Sequence, residues 1–129
     1  MMKIKNEGLV MVVDDITENR TLARAYLEKL GWNVLEANSG FSAIEMLKTV
    51  LPSHILLDVK MPGFDGVSVA RYVRETLGNH ETRIVGYTAH ALRDEVQRFL
   101  VSGFDAVLIK PITYRDISTE FGPVNTEFF

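Results

Sequence analysis

Five short apolar runs, spaced far enough apart to leave room for a helix between each pair, constrain this chain more than any other feature. They lie at residues 9–13, 33–37, 55–57, 83–87 and 106–109. Unbroken apolar runs of this length suit parallel strands covered on both faces. A parallel pair needs a right-handed crossover of about a dozen residues, usually a helix. The run at 54–58 is the most informative, because Ile55-Leu56-Leu57 closes on Asp58 and a Pro/Gly turn, Met61-Pro62-Gly63, follows at once. In open α/β sheets ligands sit beyond the carboxyl ends of such strands.

Helical spacing fills the gaps. Leu22, Tyr26 and Leu30 lie four apart, with Ala23 and Leu27 beside them. Asp15 or Thr17 is placed to cap that helix, and Gly31 sits where a C′ glycine belongs. Ser39-Gly40 opens a second helix with Phe41, Ile44, Leu47 and Leu51 on one face, stopped by Pro52. Asp65 is placed to cap a third, with Val69, Tyr72, Val73 and Leu77 inward, closed by Gly78. A fourth is expected over 91–102, with Leu92, Val96, Phe99 and Leu100 apolar and Gly103 ending it. A short fifth is expected near 114–121, before Gly122-Pro123. Five strands alternating with five helices predict an α/β fold: a five-stranded parallel sheet in the doubly wound, flavodoxin-like order 2-1-3-4-5.

Composition removes several function classes. The 129 residues suit one domain with a substantial core. A net charge of −3 argues against nucleic-acid binding, which needs a basic face. With no cysteine there is neither a disulfide framework nor a thiolate metal site. No apolar run approaches the roughly 20 residues of a membrane span, and the start lacks the apolar region of a signal peptide. A cytoplasmic protein without membrane contact is the expectation.

The residues that close the strands carry the chemistry. Strand 1 ends in Asp14 and Asp15, strand 3 in Asp58, strand 4 in Thr88 and strand 5 in Lys110; strand 2 offers nothing comparable. The predicted strand order brings these ends together. Three neighbouring carboxylates repel one another, and a hard divalent cation relieves that repulsion. Oxygen donors select Mg²⁺ or Ca²⁺ over zinc, and Mg²⁺, held by one or two carboxylates together with waters and phosphate, suits three acids with no histidine. Asp58 is then the natural nucleophile for a phosphoryl group, while Lys110 and the Thr88 hydroxyl serve the other phosphoryl oxygens.

At these residues the chain resembles the response regulator receiver domain. The resemblance covers about 9–121 and rests on Asp14-Asp15, Asp58, Met61-Pro62 with Asp65-Gly66, Thr88-Ala89 and Lys110-Pro111, with Thr88 and Lys110 lying 30 and 52 residues after Asp58. Each element alone is weak, whereas all five in order at these spacings are specific. The resemblance implies a receiver domain over 8–121 with terminal extensions at 1–7 and 122–129. It implies Asp58 as phosphoacceptor, and Asp14, Asp15, Asp58 and the backbone carbonyl of Lys60 around Mg²⁺. It implies Thr88 as switch hydroxyl, Lys110 as phosphate-binding lysine, and a cis Lys110–Pro111 bond. The implied partners are a histidine kinase or histidine phosphotransfer protein and a downstream protein bound at the helix 4–strand 5–helix 5 face, the chain being a monomer or weak dimer. The runs Thr88-Ala89-His90-Ala91 and Lys110-Pro111-Ile112 resemble receivers of hybrid histidine kinases. One departure stands out: the family often places Tyr or Phe three residues before the lysine, where this chain has Val107. Tyr87 is a candidate substitute, but strand alternation points it away from Thr88.

Two other readings stand beside this one. A Mg²⁺-dependent phosphatase with an aspartyl nucleophile would carry a second acid two residues after Asp58, where this chain has Lys60. A pseudo-receiver would bind partners without phosphorylation. Self-phosphorylation and autodephosphorylation are expected, without turnover of many substrates. His54 reads as a partly buried structural residue, His80 as surface and His90 as a rim residue of the site. Phe64 and the terminal Phe128-Phe129 read as packing or partner contacts.

Overall fold

A computed structural model describes residues 6–124, so Phe128-Phe129 lies outside the described residues. The expected alternation is present: β1 (Asn6–Val13), α1 (Thr17–Lys29), β2 (Asn33–Ala37), α2 (Gly40–Leu47), β3 (Pro52–Asp58), α3 (Gly66–Arg71), β4 (Arg83–Thr88), α4 (Arg93–Val101), β5 (Ala106–Ile109) and α5 (Tyr114–Phe121). All neighbouring strands pair in parallel, in the order β2-β1-β3-β4-β5. Pro52 opens β3, a position where its missing N–H breaks no interior ladder bond. The Lys110–Pro111 peptide is cis.

Alternation along the strands divides the core into two layers. Met11, Val13, Ile55, Leu57 and Ile84 face α2, α3 and α4, meeting Ala43, Leu47, Val69, Val73 and Phe99. Val10, Val12, Leu56, Val85 and Tyr87 face α1 and α5, meeting Ala23, Leu27, Ile117 and Phe121. Paired residues of parallel strands share a face. The pair Val13↔Leu57 therefore lies on the α2/α3/α4 face and the pair Asp58↔Tyr87 on the α1/α5 face.

Helix ends follow local chemistry in most places. Asp65 accepts from Ser68 N at 2.9 Å, and Thr113 and Asp116 bond reciprocally at 3.0 Å. Gly31 follows α1 with φ +93°. At the start of α1 neither Asp15 nor Thr17 caps. Asp14 instead accepts from Ile16 N at 2.8 Å, so an acid of the site also holds the helix entrance. Beyond Arg71 the third helix widens into a π-helical turn, Tyr72–Thr76.

Four side chains, Leu22, Phe41, Leu92 and Leu100, face outward where the spacing predicted core. Phe41 is 66% exposed and Leu92 73% exposed. α2 turns Gly40, Ala43 and Leu47 inward instead, leaving Phe41 to pack on the Phe64 ring at 5.4 Å. α4 begins at Arg93, so Leu92 is the flanking residue and its side chain lies off the buried stripe. Leu22 is also largely exposed, the buried face of α1 being Ala23 and Leu27. Among the described residues no helix is long and apolar enough to cross a membrane.

Candidate functional site

The strand ends converge as their order requires. Asp14 is fully buried and Asp58 nearly so, while Asp15 is exposed. One carboxylate oxygen from each of the three lies within 4.8 Å of the others. Lys110 reaches in from the end of β5, its Nζ 3.3 Å from Asp14 Oδ2 and 3.3 Å from Asp58 Oδ2. The ladder continues past the strands, with Val59 N donating to Tyr87 O at 3.0 Å and Lys110 N to Thr88 O at 2.8 Å. These bonds tie the backbone after β3 and β5 to β4 at the site.

Gly66 closes this end. Its N–H donates to Val59 O at 3.0 Å, and a Cβ there would collide with the Asp58 carbonyl. The Asp65-Gly66 motif thus lets α3 start directly against the strand that carries Asp58.

Asp58 accepts from Lys60 N at 3.2 Å. Burial, and then the neighbouring Asp14 charge, push its carboxyl up from 3.8 to about 6, against the opposing pull of Lys110 and the Lys60 N–H. The Lys60 side chain turns to Glu95 at 3.6 Å. Thr88 is buried, and its hydroxyl donates to His90 O at 3.1 Å rather than into the acidic cluster. His90 is exposed and meets the site through that carbonyl. His54 is structural: its ring packs on Trp32 at 4.6 Å and on Phe121 at 5.5 Å, at the far end of the sheet. His80 is exposed.

Tyr87 is the site residue that strand-end reasoning passes over. Its hydroxyl donates to Asp14 Oδ2 at 2.5 Å, and Lys110 Nζ lies 4.6 Å from its ring centroid. Burial, and then the bond to Asp14, raise its phenol well above the ordinary range, so it stays a donor. The alternation that turns Tyr87 away from Thr88 turns it toward Asp14 and Lys110. Counting parity from the pair Asp58↔Tyr87 is the signal that finds it. Beside it a cavity of about 320 Å³ opens between α1 and the β5–α5 loop, lined in part by Asn19, Leu22, Tyr87 and Lys110.

Three carboxylates and one lysine leave negative charge in excess, and every open donor atom is a hard oxygen. That set fits a hard divalent cation and does not fit a soft metal.

Comparison with known proteins agrees with this geometry. The family model "Response regulator receiver domain" matches residues 10–121. Sensor histidine kinase RcsC of Salmonella typhimurium is 40% identical over 108 residues, covering 84% of this chain and 11% of that protein. Sensor histidine kinase GacS of Pseudomonas protegens is 36% identical over 112 residues, covering 84% of this chain and 12% of that protein. The chain therefore spans about a tenth of the curated relatives it matches. Among solved structures, the receiver domain of the putative regulator NarL of Mycobacterium tuberculosis has a TM-score of 0.79 at 33% identity, covering 89% of this chain and 93% of that one. Chemotaxis protein CheY4 of Vibrio cholerae, at 23% identity and a TM-score of 0.84, covers 93% of this chain and 100% of that one and shares the fold. With sheet order, strand-end acids and family model in agreement, the chain belongs to the response regulator receiver domains of two-component systems.

Proposed function

We propose that Asp58 is the phosphoacceptor of this receiver domain and takes its phosphoryl group from a phosphohistidine on a histidine kinase or a histidine phosphotransfer protein. A carboxylate oxygen of Asp58 bonds to phosphorus while the phosphorus–nitrogen bond breaks, and the imidazole leaves with that electron pair and is protonated by solvent. The observation that carries the reading is the placement of Asp58: a carboxylate 3% exposed, at a strand tip, 3.3 Å from the Lys110 ammonium and grouped with two further acids. The names of the relatives, sensor histidine kinases, support a phosphohistidine donor. The receiver unit runs over 8–121.

The remaining residues take supporting roles. Asp15, Asp58 and the Lys60 carbonyl hold Mg²⁺, with Asp14 contributing directly or through water. Bound there, the ion offsets the charge that otherwise keeps a phosphoryl anion from a carboxylate. Lys110 exchanges its two carboxylate partners for phosphoryl oxygens, a charge-assisted pairing of the same kind. Thr88 gives up the His90 carbonyl for the phosphoryl group, which releases the segment 89–92 at the entrance to α4. Leu92 before α4, Leu100 and Val101 on α4 and Ile109 on β5 are exposed, and they form part of the helix 4–strand 5–helix 5 face through which a downstream protein senses the change. The chain works as a monomer or weak dimer in the cytoplasm. Turnover of many phosphate esters is not part of this reading, because Lys60, paired to Glu95, stands where a phosphatase keeps its second acid.

The test uses acetyl phosphate and Mg²⁺. One phosphate per chain is expected by intact mass on the wild type, and none on Asp58→Asn. Steady release of phosphate from unrelated esters would move the protein to the phosphatases. Phosphorylation that leaves the affinity for a partner unchanged would make it a pseudo-receiver.

A further inference from the structure

The Asp14 carboxylate is buried, shares the Lys110 charge with Asp58, and accepts four hydrogen bonds. Its Oδ1 accepts from Ile16 N at 2.8 Å. Its Oδ2 accepts from Tyr87 OH at 2.5 Å, from Asn19 Nδ2 at 3.1 Å and from Lys110 Nζ at 3.3 Å. The shortest of these comes from Tyr87. The same side chain lies under the lysine, with Nζ 4.6 Å from the ring centroid. A cation over an aromatic face is attracted by the ring quadrupole. One tyrosine thus touches both the acid and the ammonium that flank Asp58, and it reaches them from the residue register-paired with Asp58 itself.

We propose that Tyr87 is a positioning residue of this site: its hydroxyl occupies Asp14 and its ring carries Lys110, so the acidic pocket is held together without a cation and Mg²⁺ has to compete for it. The inference rests on the reading of Asp14, Asp58 and Lys110 as the phosphoacceptor site. A donor aimed at a buried carboxylate withdraws charge from the oxygen that a cation would use. Take the hydroxyl away and Asp14 keeps its orientation through Ile16 N and Asn19. It repels Asp58 and Asp15 more strongly, and a cation relieves that repulsion more. The ring acts separately: it limits where Lys110 can rest, and so keeps the ammonium near Asp58 before any phosphoryl group arrives.

Two substitutions separate these effects. Tyr87→Phe keeps the ring and removes the hydroxyl, whereas Tyr87→Leu removes both. With Mg²⁺ alone as titrant, calorimetry is expected to show Tyr87→Phe binding about three- to tenfold more tightly than the wild type. In phosphorylation by acetyl phosphate its Mg²⁺ half-saturation point should fall by the same factor. The ring contact has a readout that needs no metal. The Lys110 ε-methylene protons should be shifted upfield in the wild type and in Tyr87→Phe, and should return to ordinary values in Tyr87→Leu. Ile117→Val trims the same core layer away from the site and controls for stability: it should change neither Mg²⁺ affinity nor the lysine signals. Unchanged or weaker Mg²⁺ binding in Tyr87→Phe overturns the inference, as does an equal change in Ile117→Val, or unshifted lysine protons in the wild type. A wild type that binds Mg²⁺ yet takes no phosphate overturns the phosphoacceptor reading alone. A wild type that is phosphorylated while Tyr87→Phe titrates like it overturns the role of Tyr87 alone.

Discussion

The two layers of the core differ in what they bring to the strand tips. On the α1/α5 side the parity of Val10, Val12, Leu56 and Val85 runs on into Asp14, Asp58 and Tyr87. Apolar packing passes there directly into the charged cluster. On the α2/α3/α4 side the parity of Ile84 runs on through Gly86 to Thr88, whose hydroxyl faces the loop carbonyl of His90. Position 86 has no side chain because Phe104 fills the space: a Cβ would stand 2.8 Å from its ring. Val107, where an aromatic is common in the family, packs on this same layer. The aromatic the chain lacks and the aromatic it has therefore lie on opposite faces of one sheet. Coupling through an aromatic at 107 would bear on α4, whereas Tyr87 bears on Asp14 and on the cavity beside α1.

The comparison breaks first at Phe104. It is 3% exposed and meets Phe99 at a centroid distance of 6.0 Å. Phe104→Ala leaves a void that α4 and the helix end near Arg74 cannot close. Urea unfolding should register a loss of about 3–4 kcal/mol. Because Phe104 lies on the face opposite Tyr87, Mg²⁺ affinity should be unchanged. A shift like that expected for Tyr87→Phe would show that the two faces are not separate.

Asp58 offers the next largest effect, with the opposite sign. Its carboxyl, raised from 3.8 to about 6, binds a proton more tightly folded than unfolded. Below the unfolded value it costs the fold nothing. Between about pH 4 and 6 the folded chain must surrender a proton that the unfolded chain has already lost. Stability falls through that window, by on the order of 2–3 kcal/mol, and the loss is complete above it. Asp58→Asn removes this penalty and leaves Lys110 its bond to Asp14. Thermal unfolding without metal should show the variant more stable than wild type at pH 8 and equal to it near pH 4. Equal stability at both values would mean that Lys110 already neutralises Asp58.

How much of this could be read in advance differs between the faces as well. The apolar runs and their closing residues made the fold and the positions of Asp14, Asp15, Asp58, Thr88 and Lys110 legible. Strand order alone carries those groups to one edge. Tyr87 is hidden from the sequence because alternation along β4 relates it only to Thr88, whereas its place in the site follows from the register across to Asp58. Phe41 and Leu92 misled for a different reason. A helical stripe allows a rotation of one residue, and only the packed partner, such as Gly40 rather than Phe41, decides it. Arg74 could not have been found by pattern. Its guanidinium donates to the carbonyls of Gly103 at 3.0 Å, Asn79 at 3.0 Å and Thr82 at 2.7 Å, in two separate loops with no sequence signature.

Val107→Tyr sharpens the contrast with a smaller thermodynamic effect. The site is only partly buried, so the larger ring should change stability by less than about 1.5 kcal/mol. Its consequence lies in the switch. With an aromatic restored on the Thr88 face, phosphorylation should perturb the amide signals of Leu92 and Ile109 more than it does in the wild type. Equal perturbation in both proteins would mean that Thr88 alone drives the α4 side and that position 107 is silent.

The smallest expected effect tests whether the α1 side is tied to the sheet edge by charge. Glu36 on β2 receives Arg20 Nε at 3.1 Å and Arg24 Nε at 2.6 Å, while Arg20 Nη1 donates to the Asp14 carbonyl at 2.7 Å. The Arg20–Glu36 pair is half-sheltered, with side-chain exposures of 14% and 30%, so it outlasts an ordinary surface pair. Glu36→Gln should cost about 1 kcal/mol at low ionic strength, and the difference from wild type should shrink toward zero as salt approaches 1 M. Because Arg20 holds the backbone of Asp14 and not its carboxylate, Mg²⁺ affinity should move far less than in Tyr87→Phe. A comparable shift would place the control of Asp14 in its main-chain anchor, and would reduce Tyr87 to one donor among several.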